Sequence, residues 1–291
     1  MLKASKTDFK ELSRALSLVE NNVAGYRDIL LGLKPNARPI IGITGPPGAG
    51  KSTLVNALLN HWSAQGKYVA VLAIDPTSPF NLGSLLGDRI RMAEQFTKPN
   101  VFIRSLATRG SLGGLSAKTI EMADVLRSAG FDYILVETVG VGQSEVEIAG
   151  LADITLVVLV PEAGDEIQGI KSGLMEIADA FVINKADREG AETFANTLKK
   201  LSQQKAEPIP VLSTVASKEK GIEELIDFID HFEKTPSTKK QQLLAQKAWQ
   251  LLQQKLTAGL NKEQLQQDLA EAVKKSDFNL YQFIDSWTSR S

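Results

Sequence analysis

The chain has 291 residues, 43% of them hydrophobic and 23% charged; this excludes a chain disordered as a whole and allows one large domain or a core domain with appendages. Thirty-three Lys and Arg against 34 Asp and Glu leave a formal charge of −1, so no overall field draws the chain onto nucleic acid or an anionic membrane, and any ligand must be held locally. The absence of cysteine excludes a disulfide framework, thiolate zinc and iron–sulfur clusters, and two histidines, His61 and His231, give no basis for a soft-metal site.

The opening MLKASKTDFKELSRALSLVE has no continuous apolar stretch and does not read as a secretory leader. Leu12, Ala15, Leu16, Leu18 and Val19 repeat at helical spacing, a pattern that stops near Gly32 and the Pro35/Pro39 pair. An N-terminal helical arm over residues 1–38 is expected. From Ile40 seven β-branched runs alternate with helical stretches: PIIGITG, YVAVLAID, VFIRSLA, FDYILVET, ITLVVLVP, AFVINKAD and IPVLSTVA. Their continuous apolar character marks strands buried on both faces, which predicts an α/β core over 39–232 with a mostly parallel sheet between helices. Function then belongs at the carboxyl ends of the strands. The longest apolar run, ITLVVLVP, is far shorter than the roughly 20 residues of a membrane-spanning helix, so a soluble, cytoplasmic chain is expected. Residues 233–291 form a Gln-rich C-terminal arm in which Leu244, Ala248, Leu251, Leu252 and Leu256, then Leu265, Leu269 and Val273, keep helical spacing. Those stripes either pack back on the core or pair with a second copy.

GPPGAGKST at 45–53 follows the strand IIGIT and opens the helical stretch TLVNALLNHW, the context that makes a GxxxxGK[ST] match meaningful. Gly45, Gly48 and Gly50 let the backbone around Ala49 curl so that successive N–H groups face one anion, and the positive end of the helix adds to that field. Lys51 should reach the β and γ phosphates, Ser52 should coordinate Mg²⁺, and Thr53 should support the α-phosphate.

NKAD at 184–187 ends the sixth strand, on the same sheet edge. Asp187 can accept from the ring N–H and the exocyclic amine of guanine, whereas adenine would leave the carboxylate unpaired; guanine is selected. Asn184 would brace the loop and the Lys185 stem would cover the base. In STVA at 213–216, Val215 and Ala216 are positioned to offer a backbone N–H to the base oxygen. After the fourth strand, ETVGVGQSE places Glu137 and Gly140 where GTP-binding proteins carry DxxG, with Gly140 set to sense the γ-phosphate. DPTSPFNLGSLLGDRIRM adds Asp75 and Asp88.

GPPGAGKST, DPTSPFNLGSLLGDRIRM, VFIRSLATRGSLGGLS, ETVGVGQSEVEIA, PEAGDEIQGIK and FVINKAD together resemble, in order, the MeaB/ArgK family of metallochaperone-type P-loop GTPases, which includes the human methylmalonic aciduria type A protein. The C-terminal arm matches loosely. The resemblance implies a GTPase that converts GTP to GDP, docks on adenosylcobalamin-dependent methylmalonyl-CoA mutase or a related acyl-CoA mutase, and governs cofactor delivery; a homodimer with no nucleic-acid or membrane partner is expected. It also implies that Ser52, Asp75, Asp88 and Glu137 surround Mg²⁺, and that Gln168 and Lys171 in PEAGDEIQGIK belong to a switch through which the mutase activates hydrolysis. Glu162 stands where the family commonly has glycine. On this reading Lys51, Asp75 and Lys171 are the catalytic set, with Asp75 orienting the attacking water. The competing expectation is a P-loop kinase linked to transport of basic amino acids, which NKAD argues against; a nickel-insertion GTPase is a third reading, which the absence of Cys and of a His cluster from this chain argues against.

Overall fold

The computed structural model describes residues 9–34, 38–75, 93–107, 117–138, 144–162, 174–204 and 207–233, and in the C-terminal part 245, 248–249, 251–253, 255–257, 259–274 and 278–288. The chain divides into two compact units, Met1–Leu244 and Ala245–Ser291.

The first unit is built on a seven-stranded sheet, all of it parallel, in the order β3-β2-β4-β1-β5-β6-β7. The strands are β1 Ile40–Thr44, β2 Val69–Asp75, β3 Val101–Ala107, β4 Tyr133–Thr138, β5 Ile154–Leu159, β6 Ala180–Ile183 and β7 Val211–Ser213. Each falls within one of the seven predicted runs. Every residue of β1, β5 and β6 is buried, whereas the edge strand β7 is half-buried to exposed, as expected for strands covered on both faces everywhere but at the margin.

Around the sheet lie α1 Phe9–Glu20, α2 Tyr26–Leu31, α3 Lys51–Ala64, α4 Ala117–Ser128, α5 Ser144–Leu151, α6 Ala191–Ser202 and α7 Ile222–Asp230. Alternation along β1 sends Ile41 and Ile43 to one face, where they join Leu54 and Leu58 of α3 and Leu225 of α7. Ile40 faces the other side with Leu126 of α4, Ile148 of α5 and Leu12, Leu16 and Val19 of α1. A third cluster joins Val157 of β5 and Phe181 of β6 to Leu198 of α6.

The N-terminal pattern makes two helices rather than one continuing to Gly32. α1 stops at Glu20, the chain turns through Asn22 (φ 53°) and Gly25 (φ 89°), and α2 begins at Tyr26. Asn21 caps the break by donating from Nδ2 to the Ser17 carbonyl (2.9 Å), the local bonding that makes asparagine a helix terminator.

In the second unit, residues 251–253 and 255–257 are helical, followed by α8 Lys262–Ala272 and α9 Leu280–Thr288. Asn261 Oδ1 caps α8 by accepting from the Glu263 and Gln264 amides at 3.0 and 3.1 Å, and Trp287 donates from Nε1 to Asp268 Oδ2 (2.9 Å), joining α9 to α8. Leu265 and Leu269 are half-buried but Val273 is exposed. Among the described residues no helix is long and apolar enough to cross a membrane.

Candidate functional site

Successive connections run outward on either side of β1, so the carboxyl end of this strand is the place where an open parallel sheet forms a crevice. The loop 45–50 leaves β1 there and enters α3, whose first-turn N–H groups have no partner within the helix. Gly45 has φ 136°, and a Cβ on it would lie 2.0 Å from the Val158 carbonyl oxygen of β5. Only glycine lets the loop start this close to the neighbouring strand. Gly50 has φ 83°, and its absent Cβ leaves the space in which the Asn184 amide sits, 2.4 Å from where that atom would be.

Lys51 is buried, and its Nζ donates to the carbonyls of Gly45 (2.6 Å) and Pro46 (2.9 Å). The ammonium is thus held inside the loop that precedes it. Ser52, one residue on, donates to Glu137 Oε1 at 2.8 Å. Sheet register explains this meeting: Glu137 pairs with Ile43 of β1, one residue before the strand end. Glu137 is buried, and Thr138 beside it donates to Thr44 Oγ1 (3.0 Å). A hydroxyl next to a buried carboxylate is a hard-oxygen donor set of the kind Mg²⁺ takes, and it suits no softer ion. Thr53 is exposed on α3.

Asn184, 2% exposed, joins three loops. Its Nδ2 donates to the carbonyls of Ala49 (3.0 Å) and Gly50 (3.3 Å), and its Oδ1 accepts from the Ala216 amide (3.1 Å) and Thr214 Oγ1 (3.3 Å). Lys185, at φ 55°, extends its Nζ to the Gly48 carbonyl (2.7 Å), a second tie between base loop and phosphate loop. The Ala216 N–H bonds to Asn184, and the Val215 N–H donates to Lys220 O (3.0 Å), so both amides bond within the protein here. Asp187 is exposed and paired with Lys218 (2.6 Å), whose hydrogen bond holds its carboxyl below the usual carboxylate range. Next to it Arg188 pairs with Glu162, whose carboxyl this bond likewise lowers.

The structure therefore brings together Gly45, Gly48, Ala49, Gly50, Lys51, Ser52, Glu137, Asn184, Lys185, Asp187, Val215 and Ala216. Asp88, Gly140 and Lys171, with Gln168 and the side chain of Asp75, lie outside the described residues; the Asp75 backbone ends β2 opposite Ala107. Thr214, Lys218 and the Glu162–Arg188 pair were not anticipated as parts of the site. The STVA string contains Thr214 and directly precedes Ser217 and Lys218, but no spacing rule identifies their partners.

The family model described as "Methylmalonyl Co-A mutase-associated GTPase MeaB" matches residues 12–274. The chain belongs to the MeaB family. A protein of Pyrococcus abyssi is 52% identical over 234 residues, covering 77% of this chain and 72% of its own. The mouse methylmalonic aciduria type A homolog, mitochondrial, is 41% identical over 192 residues, covering 60% and 46%. Among solved structures, one described as the crystal structure of LAO/AO transport system kinase aligns with a TM-score of 0.66 at 26% identity, over 97% of this chain and 93% of that one. Membership in a MeaB family of GTPases agrees with the nucleotide class expected from GPPGAGKST and NKAD.

Proposed function

We propose that the chain hydrolyses GTP to GDP and phosphate as a switch attending an adenosylcobalamin-dependent methylmalonyl-CoA mutase, or a closely related acyl-CoA mutase, and governs delivery and retention of the cofactor. The observation that carries the reading is the Asn184 side chain, which ties the phosphate loop at Ala49 and Gly50 to the base loop at Thr214 and Ala216. One nucleotide then spans both ends of a single braced crevice. The mutase as partner is supported by the description of the matching family model.

In hydrolysis, water adds to the γ-phosphorus as the bond to the β–γ bridging oxygen breaks; one water proton stays on the phosphate, the other passes to solvent, and the bridging electrons stay on GDP. The protein positions these atoms and offsets their charge. Lys51 exchanges the Gly45 and Pro46 carbonyls for β and γ oxygens, and Gly48, Gly50 and Gly140 amides surround the phosphates. Ser52 and Glu137, with Asp75 and Asp88, are the residues that would hold Mg²⁺, which neutralises charge on those oxygens. Asp75 orients the water, and Lys171 supplies a further cation when the mutase is bound. A homodimeric, cytoplasmic protein with no nucleic-acid or membrane partner completes the reading.

The test is phosphate release from GTP and from ATP by the purified chain, alone, with a cobalamin mutase, and with added lysine, arginine or ornithine. Stimulation by the mutase, lost in Lys171→Ala at unchanged GTP affinity, is the expected result. Equal stimulation of that variant removes Lys171 from the mechanism, and turnover that requires the amino acid replaces the hydrolase with a kinase.

A further inference from the structure

The acid that reads the base is not alone at the surface. Lys218 holds Asp187 Oδ2 at 2.6 Å, and the side chain of Lys218 is presented from a loop fixed at several points. Val215 and Lys220 form an antiparallel bridge across that loop. Glu219 takes a left-handed φ of 53° and accepts from Asn60 Nδ2 of α3 (3.0 Å). Asn60 Oδ1 is in turn gripped by Gln95 Nε2 (2.8 Å) and Lys98 Nζ (2.7 Å). The loop that carries Lys218 is therefore pinned to α3 at Asn60, a side chain itself fixed by Gln95 and Lys98.

The other cation acting on Asp187 among the described residues is Arg188, and it is engaged by Glu162. That division leaves Asp187 to Lys218. An ionised carboxylate has about four acceptor sites on its two oxygens; with one on Oδ2 taken, Oδ1 and the second site of Oδ2 remain for two donors side by side. Guanine offers two such donors, its ring N–H and its exocyclic amine.

We propose that Lys218 is a positioning residue for purine selection: it fixes the rotation of the Asp187 carboxylate so that both oxygens meet the guanine edge together. This rests on the reading of Asp187 as the base-binding acid. Losing the pin weakens both bonds, and most of all the one to the exocyclic amine, which requires both oxygens to be in register. When a base covers the pair it also removes water from it, so the grip strengthens as the site fills.

Equilibrium binding of GDP and of inosine diphosphate, which lacks the exocyclic amine, tests this in the full chain and in Lys218→Met, Lys218→Arg and Asp187→Ala. Lys218→Met should weaken GDP roughly tenfold, the scale of one charge-assisted hydrogen bond, and narrow the preference for GDP over inosine diphosphate about threefold, with Lys218→Arg restoring both. An unchanged preference in Lys218→Met, or tighter GDP binding, overturns the proposal, the latter by showing that the lysine competes with the base. Asp187→Ala separates the two levels. If it leaves the preference intact, the base reading itself falls; if it abolishes the preference while Lys218→Met does not, only the role of Lys218 falls.

Discussion

Asn184→Ala is the substitution with the widest consequences for this site, because one buried side chain serves three segments. Two of its bonds, at 3.0 and 3.1 Å, are of ordinary length, and two, at 3.3 Å, are longer. At a net 0.5–1.5 kcal/mol per bond the four amount to about 3 kcal/mol, and the buried Ala216 N–H left without its acceptor takes the loss toward about 5 kcal/mol. Urea unfolding followed by far-ultraviolet circular dichroism should show that loss as a lower midpoint at an unchanged slope. GDP affinity should drop by on the order of 100-fold, which at about 1.4 kcal/mol per factor of ten is roughly half of that loss, the part that the nucleotide must restore in loop organisation.

Asn184→Asp sharpens the test. It keeps the acceptor for Ala216 and Thr214 but removes the donor to Ala49 and Gly50 and sets a negative charge against their carbonyls. GDP binding should therefore fall at least as far as in Asn184→Ala, although more of the bonding is retained. A stability loss below about 1 kcal/mol in the alanine variant, small beside the four bonds counted above, together with unchanged GDP affinity, would refute the view that Asn184 joins the two loops.

Glu137→Gln keeps an acceptor for Ser52 while removing the charge, so nucleotide binding without Mg²⁺ should be nearly unaffected. The strengthening of GTP binding by Mg²⁺, read by calorimetry, should vanish, and hydrolysis should fall about 100-fold as transition-state charge loses its support. Leu16→Ala empties a fully buried position under the sheet and should cost about 2–5 kcal/mol in urea unfolding without altering the ratio of GDP to inosine diphosphate affinity. For pH, the Asp187 carboxyl is held below its ordinary value of 3.8 by Lys218 first and by Arg188 in addition. A depressed carboxylate contributes above its unfolded value and loses that contribution as pH falls through the lower folded one. The ratio of GDP to inosine diphosphate affinity, in which the titration of the shared terminal phosphate near pH 6 cancels, should accordingly stay flat from about pH 7 to about 5 and fall only below the ordinary carboxylate range near 4. A limb in that ratio beginning near pH 6 contradicts the assignment of Asp187, and Lys218→Met should move the limb upward.

What could be read from the residues alone follows from how local each signal is. The seven strands were visible because a strand covered on both faces is apolar along its whole length, and ITLVVL of β5 is buried at every position. The break between α1 and α2 was not, because the apolar repeat at Leu12, Leu16 and Val19 says which face is buried and nothing of where Asn22 and Gly25 turn the chain. The phosphate loop is legible for the same local reason: its glycines and Lys51 lie within seven residues, and their spacing carries the chemistry.

Partners are a different matter. Ser52 lies 85 residues from Glu137, and Asn184 lies 135 from Ala49. Those meetings depend on β1 standing between β4 and β5, with β6 one strand further out, an order set by the whole sheet. Motif strings could propose Ser52, Glu137 and Asn184 because each carries a recognisable residue type, Glu137 and Asn184 at strand ends and Ser52 in the first turn of the helix after the phosphate loop. Lys218 carries none: a lysine in SKEK reads as any solvated surface lysine until β6 and β7 lie side by side and bring Asp187 to it. Glu162 and Arg188 show the same limit, since the segment after β5 and the loop after β6 are adjacent only through the pairing of those two strands. Strand order, then, is the step at which residue type becomes residue partnership, and the charged pairs beside the NKAD loop are the part of this site that depends on it most.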